Sequence, residues 1–462
     1  MRSLLRASIL PSYLLLCLLL GGSSVPNWQN LLLQLLALPL IFWAVAAKAP
    51  LKITSWGREL TAILCLLLML IAIQLIPLPP EFWTRFPGRE SVARSYELMS
   101  QPLPWLPLSL VPYETLTSAM WLLPPGAVLL TIVRLGTDRP VLLAWVLLGV
   151  TIAAVLLGAL QIGGGSAWYV YEFTNYGAMT GFFANSNHMA TLLIVSVPFV
   201  AALYARGTAA SNSRRRSVAL AVIASVAPVF LVIGLIMNNS LTGFGIMAPV
   251  VGASLMMIWR GRRRTARWWW LLIATLGVAS TALVFSPSLG NDLTQVKSPT
   301  HQATRYYGWR RTIAAALDFA PLGSGVGTFV NVYPRYEDPA QVEMTYMNHA
   351  HNEYLQIALE TGVPGLLLLA MFFQWWMRRT FSVWRDSEHG DVFAQAATIA
   401  SAAILVHSIV DYPLRTTAVS SVFALCCGLM ATARGRTSSR EESTPRRKVE
   451  AGSGRWSTNG TP

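Results

Sequence analysis

Apolar segments of about 20 residues recur along almost the whole chain, and they constrain its fold more than any other feature of the sequence. A helix of about that length crosses the hydrocarbon core of a lipid bilayer. Charged residues make up 12% of the 462 positions, which is about half of their usual share in soluble domains. The pattern therefore predicts an all-α polytopic membrane protein and excludes a soluble globular enzyme.

About twelve apolar segments have this length, and we expect each of them to form one transmembrane helix. Together they define a polytopic membrane domain over residues 1–433. The remaining segment, residues 434–462, is rich in Ser, Thr, Arg and Gly and is predicted to form a disordered basic cytoplasmic tail. The predicted spans lie near residues 7–24, 28–47, 59–76, 115–133, 140–161, 187–205, 218–237, 243–259, 268–286, 363–381, 393–410 and 416–432.

Basic residues are distributed unevenly among the connections between these spans. If the N-terminus is cytoplasmic, every second connection is short and basic, as at residues 206–216 and 260–267, and the C-terminal tail falls on the same side. Cytoplasmic connections of membrane proteins carry an excess of Lys and Arg. This topology predicts that both termini are cytoplasmic, and it accounts for the net charge of +14 without a nucleic-acid partner.

Two connections on the opposite side are long and cover about residues 77–113 and 287–362. Long loops often carry function. The second loop contains Arg305, Arg310 and Arg311, whose charge on an outward-facing loop the positive-inside rule does not explain. Because paired guanidinium hydrogen bonds suit phosphate oxygens, these arginines predict binding of a lipid-linked phosphate or pyrophosphate. Pairing with carboxylates of the same loop is the alternative interpretation.

The most polar stretch of the second loop begins at Asn348 and includes His349 and His351. Its pattern predicts a short surface helix from Asn348, acting as the N-cap, to Thr361, with Gly362 ending it. A histidine on such a helix can accept a proton from a sugar hydroxyl near neutral pH. A structural interfacial histidine is the alternative, and two histidines without a third ligand are weak support for a metal site.

Further polar side chains are predicted at the outward ends of distant spans. Asn187 and His188 begin one span, Ser240 precedes another, and His407 and Asp411 lie near the end of a third. Ionisable and amide side chains are costly inside a membrane. Their convergence on one side therefore predicts a single outward-facing site.

Four stretches of the sequence together resemble the O-antigen ligase and polymerase superfamily of bacterial inner-membrane glycosyltransferases. The most specific is His-Asn-x-x-Leu at residues 351–355, followed by Glu-x-Gly-x-x-Gly at residues 360–365. The likeness extends over most of the chain after about residue 120. The other three stretches are residues 181–190, 305–327 and 411–415.

The resemblance implies a function at the periplasmic face of the bacterial inner membrane. Members transfer a glycan from a polyprenyl-pyrophosphate-linked donor to an acceptor hydroxyl, on lipid A-core or on another glycan, without a metal or nucleotide cofactor. A large periplasmic loop lies between late spans, and membrane lipids are the remaining expected partners. His351 matches the family histidine proposed to activate the acceptor hydroxyl, which predicts inversion at the anomeric carbon. Arg305 best matches the loop arginine that contacts pyrophosphate, with Arg310 and Arg311 as alternatives.

One position departs from the family pattern. Leu241 stands where the family often has an arginine, at the outer turn before a mid-chain span. Arg415 is a candidate substitute because the predicted topology places it on the same side of the membrane. Asn187 and Asn352, which lie within the matching stretches, are further candidates for substrate binding.

The sequence leaves two alternative functions open. A repeat-unit polymerase of the same superfamily shares the motifs above, and the sequence does not separate it from a ligase. A polytopic transporter or lipid-glycan flippase shares the layout of about twelve spans with both termini inside. Against a transporter, the polar groups gather at the outer face and not at the membrane midplane, and the spans lack the buried charges of coupled transporters.

Overall fold

The computed structural model describes residues 2–47, 53–137, 139–209, 214–259, 299–339, 347–385 and 391–433. Side chains are described throughout these ranges except at residues 2–6, 209, 214–225 and 299–306. The span predicted near residues 268–286 and the tail predicted at residues 434–462 lie outside the described residues.

Most of the described chain is helical, with two short strands and three short 3-10 helices. The strands are β1 (Pro77–Leu78) and β2 (Leu106–Pro107), and the 3-10 helices are Ser166–Trp168, Tyr333–Tyr336 and Pro413–Arg415. The α-helices are α1 (Arg2–Leu20), α2 (Trp28–Ala46), α3 (Ser55–Gln74), α4 (Pro80–Trp83), α5 (Glu90–Leu98), α6 (Pro112–Trp121), α7 (Leu123–Leu135), α8 (Pro140–Gly164), α9 (Ser186–Ala209), α10 (Arg214–Asn238), α11 (Leu241–Trp259), α12 (Pro299–Asp318), α13 (Phe329–Val332), α14 (Glu353–Arg385), α15 (Val392–His407) and α16 (Thr417–Thr432).

Seven helical segments in the described part of the chain are long and apolar enough to cross a membrane, and each coincides with a predicted span. Four shorter apolar helices coincide with other predicted spans. The structure therefore supports an all-α polytopic architecture, while the number of twelve spans stays a prediction. The seven segments are Trp28–Ala46, Ser55–Gln74, Pro112–Leu135, Pro140–Gly164, Ser186–Thr208, Leu241–Trp259 and Glu353–Arg385.

Helix α9 lies at the centre of the bundle. In its apolar span 89% of the residues are buried, compared with 17% in the span of α3. It packs against α8, α10, α11 and α15, as expected for a helix that is apolar on all sides. Because α9 begins at Ser186, its polar first turn, with Asn187 and His188, lies at one end of the bundle centre.

Hydrogen bonds between helix ends fit the alternating helix directions that the basic connections predict. At one end of the bundle, the N–H of Ala418 at the start of α16 donates to the carbonyl oxygen of Gly21, just after α1, over 2.9 Å. At the other end, the hydroxyl of Thr54, just before α3, donates to the carbonyl oxygen of Ala431 over 2.7 Å. The helix ends predicted to face outward therefore meet at one end of the bundle. Which end faces the periplasm stays a prediction.

The described parts of the two long connections at the outward-predicted end are folded and pack on each other. In the first, β1 and β2 form a two-stranded antiparallel sheet with Pro77 opposite Pro107. The second contains α12, a helix of 20 residues that the sequence pattern did not predict, since its mixture of polar and apolar residues does not resemble a span. The N–H of Leu110 in the first connection donates to the carbonyl oxygen of Ser324 in the second over 2.9 Å.

Arg89 joins these two connections. Its side chain is buried, and its guanidinium donates to the carbonyl oxygens of Leu108 and Gly323 and lies 5.9 Å from the ring centre of Phe319. Burial, together with the nearby charge of Arg335, lowers the pKa of Arg89 to about 10. This cation therefore serves the packing of the two connections, because its Nη2 atom faces main-chain oxygens of both.

Candidate active site

Asp411 lies at the outward-predicted end of the bundle, in the turn after α15, and its side chain is 1% exposed. Its Oδ1 atom lies 3.2 Å from Nδ1 of His351 and accepts the N–H of Tyr412 over 2.9 Å. Its Oδ2 atom accepts a hydrogen bond from Nδ2 of Asn187 over 2.7 Å. These donors compensate the lost hydration of a buried carboxylate. We call these four residues the Asp411 cluster.

His351 precedes the short helix on which the sequence pattern placed it. That helix begins at Glu353, and Asn352 caps it, since Oδ1 of Asn352 accepts the N–H of Tyr354 over 3.0 Å. His351 itself has a positive φ of 48°, a left-handed conformation that does not continue a right-handed helix. The predicted helix start at Asn348 is therefore wrong, because the later asparagine provides the cap.

The positive φ of His351 turns the chain so that the imidazole meets Asp411 and not solvent. When the carboxylate accepts the proton of Nδ1, the other ring nitrogen, Nε2, is left as the acceptor. The side chain of His351 is 19% exposed, whereas that of Asp411 is 1% exposed. The arrangement therefore presents a basic nitrogen on a partly open histidine and buries the carboxylate that orients it.

A glycine-rich turn fixes the far end of the same short helix. Gly362 ends that helix, as predicted, with φ 57° and ψ −149° inside α14. A Cβ atom at Gly362 would overlap the carbonyl oxygen of Pro321. The main chain is held here by hydrogen bonds from Val363 N–H to that oxygen (2.8 Å) and from Gly325 N–H to the carbonyl oxygen of Glu360 (2.9 Å). The second long connection thus positions the segment that carries His351.

The ring of Tyr412 packs against three histidines. The ring centres of His188, His349 and His351 lie 5.1, 4.3 and 4.8 Å from that of Tyr412. His349 differs from His351 because burial, together with nearby positive groups including Arg415, lowers its pKa well below the usual value. His349 is therefore a poorer proton acceptor than an ordinary histidine, and its contacts indicate a packing role.

Arg415 lies between two buried carboxylates. Its Nε atom donates to Oε2 of Glu353 over 2.9 Å, and its Nη1 atom lies 3.5 Å from Oε2 of Glu360. Nε2 of Gln356 donates to Oε1 of Glu360 over 2.8 Å. Burial disfavours the charged guanidinium, but the two carboxylates outweigh that effect and raise the pKa of Arg415. We call these four residues the Arg415 cluster.

The loop arginines lie on α12. Arg305 is in this helix, but its side chain is not among those described. Arg310 and Arg311 line an open cavity of about 300 Å³ together with Tyr307, Ala314 and Tyr336. The hydroxyl of Tyr336 donates to Oδ2 of Asp318 over 2.9 Å, which fixes the ring at the cavity wall. The cavity therefore combines cationic and aromatic groups, a combination that suits phosphates and sugars.

The remaining predicted binding residues are all engaged within the protein. Asn187 uses Nδ2 for Asp411 and Oδ1 to accept the hydroxyl of Ser240 over 2.9 Å. Asn352 caps the short helix, and Arg415 pairs with two glutamates, so binding of substrate by these side chains stays a prediction. Leu241 begins α11 directly after Ser240. The position of the missing family arginine is therefore adjacent to the Asp411 cluster.

The partnership of His351 with Asp411 was not found by sequence reasoning. Both residues were expected at the outward face, but they are 60 positions apart and no spacing rule connects them. The available signal was a carboxylate next to an apolar span, which is expensive near a membrane unless it has a partner.

Comparison with known proteins supports the resemblance suggested by the motifs. A family model described as O-antigen ligase matches residues 226–370. The matched segment contains Arg305, Arg310, Arg311 and His351 and ends before Asp411. No curated protein matches the chain. The match confirms the resemblance to the O-antigen ligase and polymerase superfamily, and it supports glycosyltransferase activity of that general type in a multi-pass membrane protein.

Proposed function

We propose that this O-antigen-ligase-like chain transfers a glycan from a polyprenyl-pyrophosphate-linked donor to an acceptor hydroxyl at the periplasmic face, with His351 as the general base. The observation that carries the proposal is the 3.2 Å contact between Nδ1 of His351 and Oδ1 of the buried Asp411. Such a contact leaves Nε2 free to accept a proton.

The proton transfer is coupled to glycosyl transfer. Nε2 of His351 takes the proton of the acceptor hydroxyl while the hydroxyl oxygen forms a bond to the anomeric carbon of the donor. The bond between that carbon and the pyrophosphate oxygen breaks, and its electron pair stays on the pyrophosphate. Attack in line with the leaving group inverts the anomeric configuration. The carboxylate of Asp411 stabilises the imidazolium that forms.

The leaving pyrophosphate needs positive charge. Arg305, Arg310 and Arg311 come from one helix of the second long connection, and α12 packs against α14, whose N-terminal end follows His351. Guanidinium groups stabilise the charge that builds on a departing phosphate oxygen. Arg310 is the most accessible of those whose side chains are described, because it is exposed at the edge of the cavity. Arg415 suits this role less well, since two carboxylates already neutralise it.

The identity of the acceptor separates the two activities within the superfamily. A ligase passes the glycan to lipid A-core, whereas a polymerase passes it to another lipid-linked repeat. The His351–Asp411 pair performs the same proton transfer in both cases. We propose glycan transfer to lipid A-core as the primary function. Repeat-unit polymerisation is the alternative that uses the same site.

Transfer by the purified protein in lipid bilayers tests the proposal. The donor is a polyprenyl-pyrophosphate-linked oligosaccharide, and lipid A-core and a second lipid-linked repeat are supplied separately as acceptors. We expect a glycosylated lipid A-core whose new bond has the anomeric configuration opposite to that of the donor. Product with the second repeat alone would indicate a polymerase. Retained anomeric configuration, or no transfer to either acceptor, would contradict the proposal.

A further inference from the structure

We propose that Asn187 and Ser240 are positioning residues that hold the Asp411 carboxylate in the orientation that sets the tautomer of His351. This inference rests on the proposed role of His351 as the general base. The hydroxyl of Ser240 donates to Oδ1 of Asn187 over 2.9 Å, and Nδ2 of Asn187 donates to Oδ2 of Asp411 over 2.7 Å. Oδ1 of Asp411 then meets Nδ1 of His351. We call this hydrogen-bonded chain the Ser240 relay.

The ionised carboxylate of Asp411 fixes the direction of the hydrogen bonds in the relay, because it can only accept them. Ser240 precedes α11, and its Oγ atom accepts the N–H of Gly243 over 3.1 Å. The hydroxyl has one proton, and Asn187 is placed to accept it. Asn187 must therefore present its carbonyl oxygen to Ser240 and its amide nitrogen to Asp411. An inverted amide would place its oxygen against the carboxylate of Asp411 and lose the hydrogen bond to it.

The carboxylate of Asp411 also determines which ring nitrogen of His351 carries the proton. Oδ2 of Asp411 accepts from Asn187, and Oδ1 accepts from the N–H of Tyr412 over 2.9 Å. An ionised carboxylate only accepts hydrogen bonds, so its contact with Nδ1 of His351 requires a proton on that nitrogen. Asp411 therefore selects the tautomer in which Nε2 carries the lone pair, which is the form a general base needs. Asn187 and Ser240 hold the carboxylate in place for this contact.

The turn that holds Ser240 is itself anchored. Nδ2 of Asn238, which is buried, donates to the carbonyl oxygens of Met179 and Ser186 over 2.6 and 2.9 Å. The next residue, Asn239, has a positive φ of 56°. The turn between α10 and α11 is thus tied to the first residue of α9, one position before Asn187. This short connection fixes the position of Ser240 relative to Asn187.

The relay gives Asn187 a role different from the substrate binding that its motif suggested. Both polar ends of its side chain are used inside the protein, at Ser240 and at Asp411. A substrate contact would require the amide to leave one of these partners. As a positioning residue, Asn187 affects the rate of the proton transfer and leaves the affinity for donor and acceptor nearly unchanged.

The change Asn187→Asp tests this role most sharply. The new side chain still accepts the hydroxyl of Ser240, but it replaces the amide donor by a carboxylate oxygen next to Oδ2 of Asp411. Two adjacent carboxylates repel each other when both are ionised and share a proton at lower pH. The titratable groups that interact with Asp411 are His351 before α14, His188 on α9 and Glu353 on α14. His407, at the end of α15, interacts with His188.

The measurement is kcat and KM for glycan transfer by the full-length protein between pH 5.5 and 8.5. At the alkaline end we expect kcat of Asn187→Asp to fall on the order of 100-fold, with little change in KM. The ratio of the variant's rate to the wild-type rate should rise as the pH falls, because a shared proton restores a donor between the two carboxylates.

Asn175→Asp is the matched control, because it adds a carboxylate at an exposed position near the start of α9. Oδ1 of Asn175 accepts the N–H of Ser186 over 3.0 Å, and an aspartate can accept the same hydrogen bond. We expect nearly wild-type rates at every pH. A pH-independent ratio for Asn187→Asp, or a loss that lies in KM, would overturn the relay and favour substrate binding by Asn187.

Ser240 supplies a second test that holds even if the Asn187 variant does not fold. Ser240→Ala removes the donor that orients the amide, and we expect kcat to fall about tenfold. Ser240→Thr keeps a hydroxyl at the same place and should restore most of the rate. Equal activity of the Ala and Thr variants would overturn the relay. Full activity of His351→Ala, by contrast, would refute the proposed function itself.

Discussion

Two buried polar clusters lie at the same end of the helix bundle, and they use carboxylates in opposite ways. In the Arg415 cluster, one cation lies between Glu353 and Glu360, so the side-chain charges are largely satisfied inside the protein. In the Asp411 cluster, one carboxylate orients a histidine whose second ring nitrogen can accept a proton. The first arrangement suits a structural connection, and the second suits proton transfer.

The two clusters are connected through the short helix at the start of α14. Glu353 and Glu360 lie on that helix, while His351 is two residues before it. The N–H of Glu353 also donates to the carbonyl oxygen of Ser408 over 2.9 Å, three residues before Asp411. The Arg415 cluster therefore stabilises the helix whose start determines where His351 points. Substitutions in either cluster should lower the rate of glycan transfer. In the Asp411 cluster they act through the orientation of His351, and in the Arg415 cluster they act through the stability of the short helix.

Loss of the Asp411 carboxylate should have the largest effect on catalysis. In Asp411→Asn, the side-chain amide can no longer accept hydrogen bonds from both Asn187 and His351. The orientation and tautomer of His351 are then lost. We expect kcat to fall about 10³-fold, approaching the roughly 10⁴-fold loss that the same change causes in a Ser-His-Asp triad. Steady-state transfer rates measure this, and the thermal unfolding midpoint serves as the control. A loss of less than tenfold would show that the pair is not part of the chemistry.

Loss of the Arg415 cation should act mainly on stability. Arg415→Met leaves Glu353 and Glu360 buried without their cation, which we expect to cost roughly 3 kcal/mol of the free energy of unfolding. The measurement is thermal or denaturant unfolding in detergent micelles. The matched variant combines Arg415→Met with Glu353→Gln and Glu360→Gln, and it should regain most of the stability. An unchanged free energy of unfolding in Arg415→Met would contradict the structural role of the Arg415 cluster.

The glycine that ends the short helix should come next in effect. Gly362→Ala places a Cβ atom against Pro321 at a φ of 57°, so we expect a cost of about 1–3 kcal/mol. Gly126→Ala is the control, since a Cβ atom there would meet nothing within 4 Å inside a helix. That change should be neutral or slightly stabilising. Equal unfolding midpoints for the two variants would contradict the tight packing of the second connection on α14.

The smallest expected effect concerns the arginine cavity. Arg310→Ala removes an exposed cation, and we expect the KM for the lipid-linked donor to rise about tenfold, consistent with one charge-assisted hydrogen bond. Arg335→Ala is the control, because Arg335 is exposed on the same connection and contacts Ser91. It should leave the donor KM unchanged. An unchanged KM for the lipid-linked donor in Arg310→Ala would show that Arg310 does not bind the donor.

The apolar helices could be predicted from the sequence because a bilayer sets the length of the segments that cross it. Each described apolar helix coincides with a predicted segment, because bilayer thickness fixes how many apolar residues a span needs. Gly362 was also predicted correctly as a helix end, since few other residues tolerate its conformation. Helix α12 was missed because no bilayer constrains its composition, and its stability comes from packing on α14.

The details of the site needed the tertiary structure. Asn348 and Asn352 are both acceptable caps by residue type, and the sequence pattern alone favoured the wrong one. The choice follows from the left-handed conformation of His351 and from its contact with Asp411, which is distant in sequence. Asn187 was identified as important from its motif, but whether its amide faces substrate or carboxylate depends on Ser240 and could not be read from spacing.

Replacement of the two neighbouring histidines in one assay tests the central claim most directly. Initial rates of glycan transfer are measured for wild type, His351→Ala and His349→Gln at equal amounts of folded protein. We expect a loss of about 10³-fold or more for His351→Ala, within the roughly 10²- to 10⁴-fold contribution of a general base. We expect a loss of no more than a few-fold for His349→Gln, whose imidazole packs against Tyr412. Full activity of His351→Ala, or an equal loss in both variants, would contradict the claim.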